Sequence, residues 1–121
     1  MKLEELRVYN QADILSDKIW NIIIGWDYFA KDTMGKQMAR SVDSISANIA
    51  EGYGRFFYKE NRNFCFYSRG SLLETKNWLG KSFRRGFLPK EEYDQLMTDL
   101  EDLHKSLNAY IKTIGKTANN E

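Results

Sequence analysis

The sequence predicts an all-α protein, an antiparallel up-down-up-down four-helix bundle in which residues 1–121 form a single domain. Three observations lead to this prediction. Apolar residues recur at three- and four-residue spacing in four successive segments. The chain has one proline and eight glycines, which are too few for a β-rich fold full of turns. A chain of this size can bury about two-thirds of its unfolded surface without a disulfide or a metal.

The first two helices are predicted in the first half of the chain. Helix one is expected over residues 8–28, on an apolar stripe formed by Leu15, Ile19, Ile22 and Trp26. Helix two is expected over residues 32–52, on a stripe formed by Met38, Val42, Ile45 and Ile49. Gly52 or Gly54 is expected to end helix two in the left-handed conformation, because glycine has no Cβ to clash there.

The last two helices are separated by the clearest boundary in the sequence. Helix three is predicted over residues 59–85, and Gly86 and Pro89 suit the end of one helix and the start of the next. Helix four extends to Ile114 on an apolar stripe of alternating three- and four-residue steps. Gly70 lies inside helix three, where glycine costs about 1 kcal/mol relative to alanine. We therefore expect a neighbouring helix to approach closely there.

The charge is unevenly distributed, although the net charge is only +1. Residues 30–86 carry eleven Lys/Arg and five Asp/Glu, whereas the rest of the chain carries seven and twelve. The sequence contains one cysteine, no basic leader before an apolar run, and no apolar stretch of the roughly 20 residues that span a membrane. We expect a cytoplasmic protein that does not interact with membranes.

The residue inventory indicates a protein that is not an enzyme and has no cofactor or metal. The single histidine, His104, and the single cysteine, Cys65, leave no nucleophile with an adjacent base. Cys65 lies between two phenylalanines, where burial would raise its pKa and keep it unreactive. Glu101 and His104 have the Glu-x-x-His spacing of di-metal bundles, but those sites need two such motifs and two further carboxylates.

Basic residues recur every seven positions at Arg55, Arg62, Arg69 and Lys76. On a helix this spacing drifts by only about 20° per step, so the four side chains form a line along one side. The line can bind nucleic-acid phosphates, with interleaved aromatic residues stacking on bases. Alternatively, its cations pair with carboxylates within the bundle or on a neighbouring subunit. The candidate nucleic-acid-binding residues are Lys36, Arg40, Arg62, Lys76, Arg84 and Arg85.

Apolar residues exceed what one bundle can bury. Helices one and three carry them on more than one face, and three consecutive aromatics occupy residues 56–58. Surplus apolar surface of this kind usually marks a contact surface, so we expect a homo-oligomer. The separation of acidic and basic segments suits a head-to-tail ring, in which unlike surfaces meet.

Two segments resemble a known family. Residues 45–55, ISANIAEGYGR, resemble the S-x-N-I-A-E-G-x-G-R segment of four-helix bundle proteins related to the 23S rRNA intervening-sequence proteins. Residues 68–74, SRGSLLE, resemble the A-R-G-S-L-x-E segment of the same family, and residues 6–9, LRVY, resemble its N-terminal segment. The chain departs from the family pattern at Ala47, where proline is common, and at Ser68, where alanine is common.

The resemblance implies a left-handed antiparallel bundle assembled as a ring of five. It further implies an accessory protein that binds RNA or DNA, as in the related accessory variability proteins that accompany reverse transcriptases in diversity-generating retroelements. The alternative is a structural or adaptor oligomer with no nucleic-acid affinity, which binds a protein partner through Phe56 and Phe57. The resemblance also implies a structural, hydrogen-bonded patch between helices two and three, formed by Asn48, Glu51, Arg55, Arg69, Ser71 and Glu74.

Overall fold

A computed structural model describes residues 1–116 and contains four long helices, with no strand among those residues. The all-α prediction is confirmed, and the arrangement is consistent with a four-helix bundle. None of the helices within residues 1–116 is long and apolar enough to cross a membrane. A short 3-10 turn, Leu3–Glu5, precedes the helices, which are α1 (Arg7–Ile23), α2 (Lys36–Tyr53), α3 (Tyr58–Arg84) and α4 (Lys90–Thr113).

The predicted end of the first helix at residue 28 is wrong, because α1 ends at Ile23. Asp27 then starts a new helical turn, Tyr28–Ala30, by accepting a hydrogen bond from the backbone N–H of Ala30 at 2.9 Å. Trp26 therefore lies in the connection, yet it packs against the core and its ring lies 5.4 Å from that of Phe87. The helical spacing of Trp26 from Ile22 therefore reflects contact with the core and not a continuous helix.

Helical backbone begins before α2. The turn at Tyr28–Ala30 continues through a π-helical turn, Lys31–Gly35, directly into α2, so the predicted start at residue 32 is four residues late. A Cβ added at Gly35 would lie 2.7 Å from Ile23 Cγ2. The π-helical turn therefore passes close to the end of α1, and glycine makes that approach possible.

The tightest packing in the bundle lies between α2 and α3. Ser68 donates a hydrogen bond to the Ile45 carbonyl at 2.7 Å, and the hydroxyls of Thr75 and Ser41 contact each other at hydrogen-bond distance, with 2.9 Å between Thr75 Oγ1 and Ser41 Oγ. A Cβ at Gly52 would lie 2.9 Å from the backbone oxygen of Asn61. Neither Gly52 nor Gly54 has a positive φ, so the prediction that one of them ends the helix in the left-handed conformation is wrong. Gly52 instead allows the two helices to approach.

The boundary predicted at Gly86 is confirmed in detail. Gly86 has a φ of 86°, in the left-handed region. Its N–H donates to the Phe83 carbonyl at 3.1 Å, and the Phe87 N–H donates to the Ser82 carbonyl at 2.9 Å. These two bonds satisfy carbonyls that the end of α3 would otherwise leave without partners, in the arrangement known as a Schellman motif.

Candidate nucleic-acid interface

The seam along which α3 packs on α4, called the α3/α4 groove below, carries three of the four residues of the predicted basic line. Arg62, Arg69 and Lys76 lie on α3 at seven-residue spacing, so they recur on the same side of the helix. Arg62 Nη1 donates to the carbonyl of Ile114 at 3.3 Å, beside the end of α4. Arg69 Nη1 donates to Asn108 Oδ1 at 2.9 Å. The two arginines are thus held against α4 by neutral oxygen acceptors.

The groove cations have no carboxylate partner within residues 1–116. The ion pairs closer than 4.0 Å in that range are Lys18–Asp99, Arg55–Glu51 and Lys90–Asp94, and none includes Arg62, Arg69 or Lys76. A seven-residue step along a helix is about 10 Å. The Debye length at 0.1 M salt is also about 10 Å, so neighbouring groove cations repel one another appreciably at low salt. A bound polyanion would relieve this repulsion.

The pKa of His104 responds to the positive charge of the groove cations. It lies on α4, and its pKa is lowered from the ordinary value by partial burial and then by the nearby charges of Lys76 and Arg69. Like charges disfavour the protonated imidazole, so His104 is neutral at pH 7. No group of three or more His, Cys, Asp or Glu side chains within residues 1–116 is placed to hold a metal ion.

Arg55 does not extend the groove. It lies in the connection before α3 and forms an exposed ion pair with Glu51, with 2.7 Å between Arg55 Nη2 and Glu51 Oε1. Its guanidinium also lies over the Phe64 ring, 4.8 Å from the centroid. The four-residue basic line predicted from the sequence is therefore a line of three, because the helix begins only at Tyr58.

The six residues of the implied polar patch do not form one hydrogen-bonded network within residues 1–116. Glu51 and Arg55 contact each other, but Arg69 turns away to α4, as described above. Asn48 donates to the Ser44 carbonyl in its own helix at 2.8 Å, and Glu74 is exposed. Thr75 donates to the backbone carbonyl of Ser71 at 2.8 Å. The buried polar contacts between α2 and α3 come instead from Ser41, Ser68 and Thr75.

The remaining candidate cations lie elsewhere. Lys36 and Arg40 are exposed on α2, and Arg84 and Arg85 are exposed at the end of α3. Arg85 borders a shallow groove with Lys81, whose Nζ lies 4.7 Å from the centroid of the Trp78 ring. The six candidates thus divide into a pair in the α3/α4 groove, Arg62 and Lys76, and four outside it.

Sequence reasoning missed two contributors to the α3/α4 groove. Asn108 holds Arg69, and no sequence pattern marked it, because the contact depends on how α3 and α4 pack. Leu73 lies between Arg69 and Lys76 on the same side of α3 and is exposed. The spacing of Leu73 from those cations is visible in the sequence, but the surplus apolar residues of helix three were expected to form a contact between subunits and were not linked to the basic line.

Cys65 offers no alternative chemistry at this site. Its side chain is buried, and burial raises the pKa of the thiol from 9.0 to about 11. Its Sγ lies 3.7 Å from Asn61 Oδ1, and no histidine accompanies it. A thiol in this environment is protonated at neutral pH and therefore a poor nucleophile.

Comparison with known proteins finds a matching family model and similar solved structures. The family model described as "23S rRNA-intervening sequence protein" matches residues 4–109, which include both central motif segments. A crystal structure of a protein with unknown function from the S23 ribosomal protein family of Bacteroides thetaiotaomicron VPI-5482 is also similar. The two chains are 26% identical with a TM-score of 0.78, and the match covers 88% of this chain and 99% of that one. No curated protein matches the chain.

Proposed function

The chain belongs to the 23S rRNA-intervening sequence protein family, and from that premise we propose that it is a non-enzymatic, oligomeric accessory protein of the cytoplasm that binds RNA. The observation that carries the proposal is the α3/α4 groove. Arg62, Arg69 and Lys76 share this groove, and no carboxylate within residues 1–116 pairs with them. An array of unneutralised cations favours a polyanion, because its binding releases condensed counterions.

The proposal includes the left-handed, antiparallel up-down-up-down arrangement. Hydrogen bonds between α3 and α4 support the antiparallel part, because Arg62 contacts Ile114 whereas Arg69 contacts Asn108. The pairs Ser68–Ile45 and Thr75–Ser41 support the same relation between α2 and α3. The contacts step forward along one helix and backward along its neighbour, as antiparallel helices require. The left-handed twist rests on the family resemblance.

The proposed oligomer is a ring, with five subunits by family resemblance. It is supported by exposed apolar side chains outside the α3/α4 groove, including Ile14, Trp20 and Ile24 on α1 and its end. Two exposed aspartates, Asp13 and Asp17, lie on the same helix. An acidic and apolar face of this kind complements a basic and apolar face on another copy, and such unlike contacts close into rings.

Fluorescence anisotropy tests the proposed RNA binding. Purified protein is titrated against a structured RNA and a duplex DNA, from low to physiological salt. We expect micromolar or tighter RNA binding that weakens steeply with salt, and loss of that binding in the double variant Arg62→Glu with Lys76→Glu. The matched control reverses Lys2 and Arg7, which changes the net charge equally but outside α3.

The result decides between the proposal and its alternative. Absence of RNA binding at low salt, or equal loss in the control variant, would reject the groove as an RNA site. The remaining function would be a structural or adaptor oligomer that binds a protein partner. That alternative is favoured by the exposure of Phe56 and Phe57 in the connection between α2 and α3. It predicts loss of partner capture in Phe56→Ser with Phe57→Ser.

A further inference from the structure

Cationic and apolar side chains alternate along one face of α3. We call this face the α3 stripe; its residues are Arg62, Phe66, Arg69, Leu73 and Lys76. Their spacing is 4-3-4-3, so all five lie on the same side of the helix. Phe66 is 42% exposed and Leu73 is 52% exposed, although both are apolar. The stripe is about 21 Å long, from fourteen residues at 1.5 Å per residue.

The aromatic member of the stripe is already positioned by a cation. The guanidinium of Arg69 lies over the Phe66 ring, 5.1 Å from its centroid, while Nη1 of the same group donates to Asn108 Oδ1. Arg69 thus covers one part of the ring and is itself fixed by α4. The exposed part of Phe66 remains accessible to a planar group, beside two cations that can bind phosphates.

Gly70, four residues after Phe66 and three before Leu73, leaves the helix backbone open beside the stripe. A Cβ added there would meet no atom of another element within 4 Å, although Gly70 lies in the middle of the helix. The neighbouring helix that the sequence led us to expect at Gly70 is therefore not found within residues 1–116. Glycine exposes the backbone between Phe66 and Leu73, where a ligand can approach more closely than any side chain would allow.

From the stripe we infer that the RNA is recognised as an unpaired strand lying along α3, with bases packed on Phe66 and Leu73 and phosphates bound by Arg62, Arg69 and Lys76. This inference rests on the proposed RNA binding and names its substrate class. In a duplex the base faces are stacked inside the helix and cannot reach an aromatic ring on a protein surface. In an unpaired strand they are available, and stacking on aromatic side chains is a common way to bind such strands.

The experiment compares an unstructured polyuridine oligonucleotide with a duplex RNA of equal length, using the full chain and anisotropy titrations over a range of salt. We expect tighter binding of the unpaired strand. Phe66→Leu should weaken that binding by roughly 5- to 100-fold, because it removes the aromatic ring. Phe66→Tyr should retain the affinity, because the ring is kept. Phe29→Leu, at an exposed aromatic residue in the connection between α1 and α2, should leave the affinity unchanged. Arg62→Gln should lower the slope of log affinity against log salt by about 0.7, which is the value for one phosphate of a single strand.

The outcomes separate this inference from the proposed function. If the protein binds neither RNA, both the proposed function and the unpaired-strand inference are rejected. If duplex RNA binds equally well or better, or Phe66→Leu leaves the affinity unchanged while Arg62→Glu with Lys76→Glu abolishes it, RNA binding stands and the unpaired-strand inference is overturned. Sedimentation velocity without RNA gives a further check. A change of oligomeric state in Phe66→Leu with unaltered strand affinity would identify the stripe as a contact between subunits and overturn the inference.

Discussion

The two sides of α3 differ in how many of their polar and apolar side chains find partners within the protein. Towards α2, the buried hydroxyls of Ser68 and Thr75 have hydrogen-bond partners, and Gly52 lets the helix backbones approach. On the α3 stripe, the hydrogen-bond acceptors of Arg62 and Arg69 among residues 1–116 are neutral, and apolar side chains between the cations remain exposed. One helix therefore has one side used for folding and another left available for binding.

The contrast is clearest at two glycines, Gly52 of α2 and Gly70 of α3. Both lie within helices and neither has a positive φ, so neither is required by backbone conformation. A Cβ at Gly52 would collide with α3, whereas a Cβ at Gly70 would meet no other element of the described part of the chain. Glycine therefore permits close helix packing at Gly52 but not at Gly70. Substitution by alanine should lower the free energy of unfolding at Gly52 and raise it at Gly70.

The largest effect is expected from Gly52→Ala. The added Cβ would lie 2.7 Å from Asn61 Oδ1 and 2.9 Å from both Asn61 O and Phe64 Cβ, so α2 and α3 must move apart. We expect the free energy of unfolding to fall by about 2–3 kcal/mol, measured by urea denaturation followed by circular dichroism. Gly54→Ala is the control, because its nearest contacts would be at 3.7 Å. Equal destabilisation by the two substitutions would refute the close approach at Gly52.

Thr75→Val should produce the next largest effect, on the same side of α3. Valine keeps the shape of the buried side chain but removes the hydroxyl that donates to Ser71 O and contacts Ser41 Oγ. We expect a loss of about 1–2 kcal/mol in the free energy of unfolding. Thr113→Val, at an exposed site near the end of α4, should change it by less than about 0.5 kcal/mol. A neutral result for Thr75→Val would show that the buried hydroxyl pair does not stabilise the α2–α3 contact.

Gly70→Ala should have a smaller effect of opposite sign. Alanine has a higher helix propensity and its Cβ meets no other element, so the chain should gain about 1 kcal/mol of stability. The measurement is the urea midpoint of a preparation whose oligomeric state matches that of the unsubstituted protein. Destabilisation would mean that another surface already packs on Gly70, most simply from a second copy of the chain.

The sequence was sufficient to predict the four helices and only partly sufficient to predict the site. The four apolar stripes and the boundary at Gly86 determine four helices, because periodicity and turn chemistry are local properties. The end of α1 was misplaced because Trp26, which lies in the connection after α1, is partly buried against the core, and its spacing from Ile22 resembles that of a helix. The pairing of Arg69 with Asn108 could not be foreseen, since it links residues 39 apart through the packing of α3 on α4. The seven-residue spacing of the basic residues therefore identified the α3 side of the α3/α4 groove, but not the α4 residues that contact it.

The smallest effect concerns His104, and it reports on the α3/α4 groove directly. Its pKa in the folded state is below the ordinary value of 6.5, so the unfolded chain takes up a proton more readily as the pH falls. Stability should therefore decrease slightly as the pH falls through 6.5, and His104→Gln should remove that part of the pH dependence. Because the chain has one histidine, a single imidazole signal in an NMR titration gives the pKa without assignment.

Lys76→Gln should raise the pKa of His104, and so should a bound RNA strand, since phosphates beside the groove favour the protonated form. A pKa that stays constant when RNA binds would place the RNA on another surface, such as the end of α3 at Arg84 and Arg85.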